Sequence, residues 1–418
     1  MQKTISLFLI LLVLPSLVFA EGKILTLDEA ISGVMAANPD IHAAHYRTEA
    51  ARARIPQARS LEDPMVGVMF DEVPIDSLNV QRGDDVNYRI EQKLPFPGKR
   101  YTRGKVALFE AQAVQESSQG QVQDVLLDLK RTYYDLYRLD RSLEVNRENQ
   151  KLVKQFLGSA ETWYATGQTT ANTPLRAQVE LSNLKNQEIL LDQEKITHMA
   201  HLKALLNRDT HEEIRLPSKL NWPRLTANLE TIISQGIAKR PELAALRAMQ
   251  KRDKVKLTTA KQTLLPDFSL GFEYNQKPDR QDAWTGTVLM NLPIFFWSKN
   301  RGAIQEARAS FKATQSEHES MEIHTHHEIE QAYSAVKAYW KLLESYQNGI
   351  LPQAKVTLES SQLAYTARKI DFLTLVEAAR TYRDLQMSYF ENQARYGTAY
   401  AALERLVGMD LKEENSYE

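Results

Sequence analysis

The sequence contains no cysteine among its 418 residues, and this absence excludes several kinds of structure and chemistry. Disulfide bonds, thiol catalysis and thiolate metal sites all require cysteine, and so does a lipid-modified N-terminal Cys. Neither sign of charge is in excess, since 52 Lys and Arg side chains balance 53 Asp and Glu side chains to a net charge of −1. The composition therefore gives no electrostatic indication that nucleic acid is a partner.

Sequence motifs of the common enzyme classes are missing as well. There is no Gly-x-Ser-x-Gly nucleophile elbow, no phosphate-binding glycine loop and no His-Glu-x-x-His zinc helix. No paired-carboxylate motif stands out from the many acidic residues. We therefore predict no catalytic residue and no cofactor, and we expect the protein not to be an enzyme.

The first 20 residues have the pattern of a secretory signal peptide. Lys3 precedes an apolar run from Ile5 to Val13, and the segment ends with Val18-Phe19-Ala20 before Glu21. Beyond residue 20 no apolar run reaches about 18 residues, so the sequence predicts no membrane-spanning helix. We therefore predict a signal peptide over residues 1–20 and an exported chain.

Proline is absent between Lys99 and Thr166, and this predicts one helix of unusual length. At a rise of about 1.5 Å per residue the segment would span roughly 100 Å, whereas ordinary globular helices have about three turns. Apolar residues recur along it at coiled-coil spacing: Val122, Leu126, Leu129, Tyr133, Leu136, Leu143, Val153 and Phe156. Such a seam needs partner helices along its whole length.

Four landmarks recur in the same order at an offset of about 200 residues. The pairs are Asn38-Pro39 with Arg240-Pro241, Leu94-Pro95 with Leu292-Pro293, Tyr164 with Tyr365, and Leu206-Asn207 with Leu406-Val407. This regularity predicts an internal two-fold repeat, with repeat 1 over residues 21–215 and repeat 2 over residues 226–410. Residues 216–225 would form the linker, and residues 411–418 a polar tail.

Each repeat contains two predicted strands, at about residues 64–75 and 86–95 in the first and 266–276 and 284–295 in the second. Apolar and polar side chains alternate within them, and segments of about ten residues with this alternation are typical of a transmembrane β-barrel. In a barrel, Phe268, Leu270 and Phe272 would face lipid, while Ser269 and Glu273 would face the lumen. The alternative is a pair of half-buried hairpins in a soluble sheet.

Four strands cannot close a membrane barrel, because bacterial barrels have at least about eight. Open sheet edges in lipid would leave backbone groups unpaired at a cost of several kcal/mol each. Several chains would therefore share one barrel, with about eight strands for two-fold sharing and about twelve for three-fold sharing. With the long helices as a bundled extension, we predict an oligomeric tube.

Proline and turn residues predict the remaining helices. Leu27–Ala37 and Pro39–Arg59 are amphipathic, with Pro39 in a first turn. Pro352 lies inside a predicted helix, where it removes one hydrogen bond, so we expect a kink there. The helical hairpins are predicted to turn at residues 166–169 and 365–371, with return helices that end near Leu205 and Val407.

In their order and spacing, these features resemble the TolC-like outer-membrane efflux protein family over essentially the whole mature sequence. The resemblance is carried by the duplication, the X-Pro helix starts, the Leu-Pro breaks, Tyr164-x-x-Gly167 with its Tyr365 counterpart, and the helix ends Leu205-Leu206-Asn207 and Leu406-Val407-Gly408. The run from Leu94 to Arg100 is similar to the heavy-metal-efflux, CzcC-type branch. Two features depart from the family: the missing N-terminal Cys, and Arg368 in place of a turn glycine, which leaves room for a different second turn.

The resemblance implies a mixed α/β membrane protein of a Gram-negative bacterium. Three identical chains would each add four strands to a twelve-strand barrel in outer-membrane lipid, and a periplasmic α-helical barrel would continue it. It implies a passive efflux duct, for heavy-metal cations in the CzcC-type branch, served by a periplasmic adaptor and an inner-membrane pump of the resistance-nodulation-division type. A passive duct selects little, so the sequence does not define the substrate. The alternative, a periplasmic coiled-coil scaffold or adaptor without a pore, leaves the aromatic strand pairs unexplained.

The resemblance also implies a periplasmic gate, because acidic residues near the start of the last helix ring the constriction in TolC-like proteins. Here Asp371, Thr374, Glu377 and Arg380 recur at three-residue steps and lie along one stripe. By spacing from Tyr365, Glu377 matches one acidic position and Thr374 replaces another. We predict that Glu377 rings the axis and that Arg380 pairs with it; an ordinary surface pair is the alternative.

A second candidate site lies at the two helical turns, which are farthest from the membrane by helix length. We predict that Gly167 and Gln168 of the first turn, with Arg368 and Lys369 of the second, dock the adaptor.

Histidine pairs are the obvious candidates for metal ligands. His324 and His327, like His198 and His201, lie three positions apart, and such a pair can chelate a transition metal. His318 and His326 are nearby, but there is no Cys to complete a site. We favour polar residues on a solvated helix face and predict no metal site.

Overall fold

A computed structural model describes residues 24–71, 73, 85–209, 213–277 and 281–411. The predicted signal peptide and the polar tail beyond residue 411 lie outside the described residues, as does most of the polar loop between the first two strands. The helices are α1 (Leu27–Ala37), α2 (Pro39–Arg59), α3 (Lys99–Ala165), α4 (Asn172–Leu205), α5 (Leu229–Lys239), α6 (Pro241–Gln262), α7 (Arg301–Ser345), α8 (Leu351–Thr366) and α9 (Phe372–Val407). The strands are β1 (Met65–Asp71), β2 (Asp85–Leu94), β3 (Asp267–Gln276) and β4 (Ala283–Asn291).

The predicted long helix is present as α3, with 67 residues. Its seam is buried from Leu129 to Phe156, and only Val122 and Leu126 at its start are partly exposed. Helices α2, α4, α6 and α9 pack along it, so the prediction of partner helices on this seam is confirmed.

The predicted bounds of α1 and α2 are confirmed, and local capping explains them. Thr26 and Glu29 form a reciprocal capping box at the start of α1. Asn38 separates the two helices: its side-chain oxygen accepts from the Asp40 and Ile41 amides, and its Nδ2 donates to the Leu205 carbonyl at 2.9 Å. The start of α2 is thereby tied to the end of α4.

The four strands form one antiparallel sheet in the order β1-β2-β3-β4. The register places apolar residues side by side on one face, where Val68 pairs with Tyr88, Tyr88 with Tyr274, and Tyr274 with Trp284. The other face is mainly polar, since Arg89 pairs with Glu273, and Glu273 with Thr285, although Leu289 pairs with Ser269 on it. Leu270 and Phe272 share the apolar face, and Ser269 and Glu273 the polar one, as the alternation predicts. All helical connections leave the same end of the sheet.

The main core lies where the middle of α3 and the C-terminal ends of α4 and α9 meet α1 and α5. Two clusters of buried residues share Trp222, whose ring lies 5.3 Å from that of Tyr134 and 6.2 Å from that of Tyr396. Gly397 allows this approach, because a Cβ there would lie 2.7 Å from the Trp222 ring. The predicted linker, residues 216–225, has neither helix nor strand and is anchored to the core through this tryptophan. No helix of the described part of the chain is both long and apolar enough to span a membrane.

Regular α-helix is interrupted just before Pro352. A five-residue π-helical segment, Tyr346–Ile350, separates α7 from α8 and directly precedes the position of the predicted kink. Proline has no amide hydrogen to donate, and wider π-type turns accommodate the lost bond. A second π-helical segment, Phe296–Asn300, leads into α7.

Candidate functional site

The two helical tips have the same backbone geometry. Gly167 and Arg368 both adopt left-handed conformations, with φ of 69° and 58°. Each helix ends in a Schellman motif, in which Gly167 N donates to Tyr164 O at 3.0 Å and Arg368 N to Tyr365 O at 2.9 Å. The expectation of a different second turn is therefore wrong. Left-handed residues also end α4 at Asn207 and α9 at Gly408, so the equivalent backbone positions there are 201 residues apart, one more than in the predicted pairing of Leu206-Asn207 with Leu406-Val407.

The structure brings two of the four predicted docking residues, Gln168 and Arg368, into contact. The Arg368 guanidinium lies over the Trp163 ring, 5.2 Å from its centre, and donates to Gln168 Oε1. Gly167 and Lys369 flank this contact in their turns. An arginine side chain thus crosses from one hairpin tip to the other, which a glycine at position 368 could not do.

An aromatic cluster supports the tips from inside. Tyr365 is buried among Phe156, Trp163 and Phe372, with ring centres 5.1 to 6.1 Å apart. Burial raises the pKa of the Tyr365 hydroxyl, which has no hydrogen-bond partner in the described residues. The ends of the hairpins are therefore packed structure.

Two predicted gate residues form the helix cap of α9. Asp371 is its N-cap, and Oδ1 accepts from the Thr374 amide at 3.0 Å and from the Thr374 hydroxyl. These hydrogen bonds hold the pKa of Asp371 below its usual range. Both side chains are exposed, and capping is the role their geometry explains.

Arg380 does not make the predicted pair with Glu377. Its guanidinium binds Glu180 of α4, with Nε 3.0 Å from Oε2, and Arg383 Nη1 lies 3.4 Å from the other oxygen of the same carboxylate. Glu180 is buried, with 4% of its side chain exposed. The reason is the difference in burial: Glu377 is exposed to solvent, whereas Glu180 on the facing α4 is a buried carboxylate, where an ion pair is screened less.

Glu377 itself remains an exposed carboxylate on the same stripe of α9. The Glu180 hydrogen bond is the main cause that raises the pKa of Arg380, while the charge of Glu377 makes a smaller contribution.

A groove of about 350 Å³ runs between the first turns of α4 and α9. Leu175, Val179 and Leu373 line it and are 49–60% exposed, and Arg176 and Arg380 border it. The groove is apolar with a cationic rim, and it lies next to the Glu180–Arg380 pair.

Two ionic clusters hold the other end of α9, and the sequence analysis did not identify them. Lys130 of α3 donates to Glu404 at 2.6 Å, and Arg405 binds both Asp124 and Glu242. Burial, opposed by the Lys130 charge, raises the pKa of Glu404 to about 7, with Asp410 adding to the rise. One sequence signal could have revealed this buried carboxylate: Glu404 occupies a position on the apolar face of α9.

The histidines are dispersed along the helices. His201 lies 2.9 Å from Asp128 and His318 lies 3.8 Å from Glu322, while His198 lies 4.0 Å from Glu194. His324, His326 and His327 are exposed on α7. No group of three or more His, Cys, Asp or Glu side chains arranged to hold a metal ion occurs in the part of the chain that the structure describes.

Comparison with known proteins gives a consistent result. The family described as "Outer membrane efflux protein" matches the chain over residues 30–208 and again over residues 232–409. The pyoverdine export outer membrane protein OpmQ of Pseudomonas putida is 22% identical over 66% of this chain and 60% of its own length. The cobalt-zinc-cadmium resistance protein CzcC of Cupriavidus metallidurans is 20% identical over 92% of this chain and 90% of its own. Among solved structures, the outer membrane protein VceC of Vibrio cholerae superposes with a TM-score of 0.77 at 17% identity, covering 92% of this chain and 96% of that one.

Proposed function

Since this chain belongs to the outer membrane efflux protein family, whose members are outer-membrane efflux channels and not enzymes, we propose that three copies of it form one exit duct. The duct would serve a tripartite efflux system in a Gram-negative cell, together with a periplasmic adaptor and an inner-membrane pump, which we take to be of the resistance-nodulation-division type.

The observation that carries the proposal is the open sheet. Its apolar face is highly exposed, with Val66, Trp284 and Val288 all between 71% and 77% accessible. Its edge strands, β1 and β4, each have a neighbour on one side only. Joining β4 of one copy to β1 of the next keeps the strands antiparallel and covers both edges, which lipid requires. Three copies would give twelve strands, with Leu270 and Phe272 toward lipid and Glu273 toward the lumen.

The helices support a ring of copies in the same way. Apolar side chains 59–70% exposed follow one side of α4, namely Leu175, Val179, Ile189, Leu190 and Ile196. A separate exposed set on α8 comprises Val356 and Leu363. Two different apolar surfaces on one chain suit a head-to-tail interface, which closes into a ring.

An internal repeat explains the order of elements. Two helices, two strands and a long helical hairpin occur in each half, and the family matches the halves separately over residues 30–208 and 232–409. We therefore keep repeat 1 at residues 21–215, the linker at 216–225 and repeat 2 at 226–410 as the proposed organisation.

The proposed gate consists of the predicted stripe on α9 and the contact between Glu180 and Arg380, which the sequence did not reveal. Glu377 of three copies would surround the axis and favour cations over anions. Arg380 would act through Glu180 instead of Glu377, holding α9 against α4 and the tip closed. Asp371 and Thr374 would set the start of α9 by capping it.

The proposed adaptor site is the pair of tips with the groove beside them. Gly167, Gln168, Arg368 and Lys369 are at the ends of both hairpins, and the exposed apolar groove offers room for a partner side chain. Single cysteines at positions 167 and 369 can be cross-linked to the cognate adaptor, since the chain has no other thiol. Adducts from both are expected; a cysteine at exposed Ser316 of α7, outside the surfaces proposed to join the copies, is the control, and equal labelling there would contradict docking at the tips.

Heavy-metal cations are the proposed cargo, because the similarity to CzcC extends over 92% of this chain and that to OpmQ over 66%. Deleting the gene should raise cellular cobalt, zinc or cadmium without reducing siderophore export. The opposite result would assign the duct to the siderophore class.

Membrane fractionation with cross-linking tests the duct itself. The protein should sediment with the outer membrane, cross-link to a species of three chains, and change migration when the gel sample is heated. A monomer in the periplasmic fraction would overturn the proposal.

A further inference from the structure

A cavity of about 400 Å³ lies where the sheet meets the two longest helices. Lys99, Arg103 and Lys299 line its polar side, while Leu292 and Phe295 line its apolar side. Asp267 is the only carboxylate among its described lining residues, and Lys99 Nζ binds it at 2.8 Å. The cavity is therefore amphipathic and carries a net positive charge.

An exposed aromatic surface adjoins the cavity. Phe295, Phe296 and Trp297 are between 56% and 62% exposed, and both Phe rings pack edge-on against Trp297. Along the chain this surface continues the apolar face of β4 through Leu292 and Met290, which are 58% and 50% exposed. Trp and Phe rings beside a basic cluster are typical of the boundary between lipid chains and headgroups.

The two helices that leave the sheet begin with basic residues, whereas four other helices begin with an acidic residue and α4, α8 and α9 have none in the first turn. Helices α1, α2, α5 and α6 each carry an acidic residue in the first turn, which the helix dipole favours. Helices α3 and α7, which leave the sheet, carry none, and they begin with Lys99-Arg100 and Arg301. Because these cations oppose the dipole, a nearby negative charge stabilises them: Asp267 provides one for Lys99, and Arg103 and Lys299 line the same cavity.

We propose that this cavity binds the headgroup of an anionic phospholipid in the periplasmic leaflet of the outer membrane. The inference rests on the proposed function, since the sheet must lie in that membrane. Every helical connection joins the sheet at this end, which places the cavity at the periplasmic boundary. The phosphate would lie between Arg103 and Lys299, the rings at the headgroup level, and the acyl chains along Met290.

Native mass spectrometry of the detergent-solubilised full-length protein tests the site. The protein is incubated with phosphatidylglycerol or, separately, with phosphatidylethanolamine, and bound lipids per chain are counted. Phosphatidylglycerol should be retained in clear preference. Each Lys or Arg near an anionic lipid surface strengthens binding by about fivefold, so Arg103→Gln with Lys299→Gln should lower its retention by roughly tenfold or more.

A matched control is Lys151→Gln with Lys154→Gln, two exposed cations near the far end of α3, which should retain the lipid as the wild type does. Inorganic phosphate is tested as the alternative ligand. If it binds as well as the lipid, or if Phe296→Ala with Trp297→Ala leaves phosphatidylglycerol binding intact, the lipid assignment is overturned. Equal retention of both lipids by wild type overturns it too. Migration of each sample as a heat-sensitive trimer separates these outcomes from failure of the proposed duct.

Discussion

The contact most open to a decisive experiment is the buried carboxylate of Glu180, which binds Arg380 and Arg383 of α9. Removing one partner of a buried ion pair costs about 3–5 kcal/mol, whereas an exposed pair contributes about 0–1 kcal/mol. Glu180 is 4% exposed and Arg383 14%, but Arg380 is 48% exposed, so solvent screens much of one interaction. We therefore expect Glu180→Gln to weaken the α4–α9 contact by about 1–2 kcal/mol, which corresponds to a five- to thirtyfold shift toward separated helices.

Conductance of the protein reconstituted in planar bilayers measures this shift. Glu180→Gln should raise the resting conductance, Arg380→Ala should raise it similarly, and the double variant should add little because both changes remove one interaction. Glu188→Gln is the matched control: it lies on the same helix and also binds an arginine, Arg147 at 2.7 Å, but that arginine belongs to α3. If trimeric Glu180→Gln conducts like the wild type, this pair does not hold the gate.

Three further predictions concern the axis, the sheet and the far end of α9. Glu377→Ala should reduce the cation selectivity of the reconstituted pore without raising its resting conductance; unchanged reversal potentials would move the charged ring elsewhere. Leu270→Arg should cost about 2–4 kcal/mol near mid-bilayer and reduce outer-membrane assembly, whereas Ser269→Arg should assemble normally; equal assembly would mean that the facing is wrong. Burial raises the pKa of Glu404 to about 7 from an ordinary 4.5, so the folded state binds more protons between these pH values. This contribution to stability is complete below pH 4.5 and is lost as the pH rises through 7, so Glu404→Gln should gain melting temperature relative to wild type between pH 5 and pH 8.

Local patterns predicted the elements well because they act over short stretches. The absence of proline after Gly98 and the coiled-coil seam are sufficient to predict α3. Asn38-Pro39 predicts the boundary between α1 and α2 to the residue. Alternation likewise predicts which of Leu270 and Ser269 lies on the apolar face. In each case the deciding interaction joins residues within a few positions or within one heptad.

The α4–α9 contact could not be predicted this way, since Glu180 and Arg380 are 200 positions apart. The sequence around Arg380 does not indicate which glutamate is its partner. Glu377 is much closer in sequence, so it was the more obvious choice. A usable signal did exist: 200 is close to the offset of the predicted repeat, and Gln168 contacts Arg368 at the same separation. In a duplicated chain, near-equivalent positions can meet at the axis that relates the halves, so the partner could have been sought there.

The second tip has a left-handed turn although its turn residue is Arg368 and not glycine. A left-handed conformation costs a non-glycine residue roughly 1–2 kcal/mol, and this favours glycine. Stacking on Trp163 offsets about 0.5–1 kcal/mol, and the bond to Gln168 adds to it. The side chain that makes the turn costly is thus also the one that joins the two hairpins.

The two ends of α9 are held with unequal strength, and this determines which end can move. Near its C-terminus, Glu404 and Arg405 bind Lys130, Asp124 and Glu242 beside the largest aromatic core. Near its N-terminus, Glu180 binds Arg380 and Arg383, and Phe372 packs in the aromatic cluster around Tyr365. A helix of 36 residues is about 54 Å long, so a rotation of roughly 5° about the fixed end displaces the tip by about 5 Å. Gating by this route would need the Glu180 contact to break and the cluster around Tyr365 to shift, with the core around Trp222 unchanged.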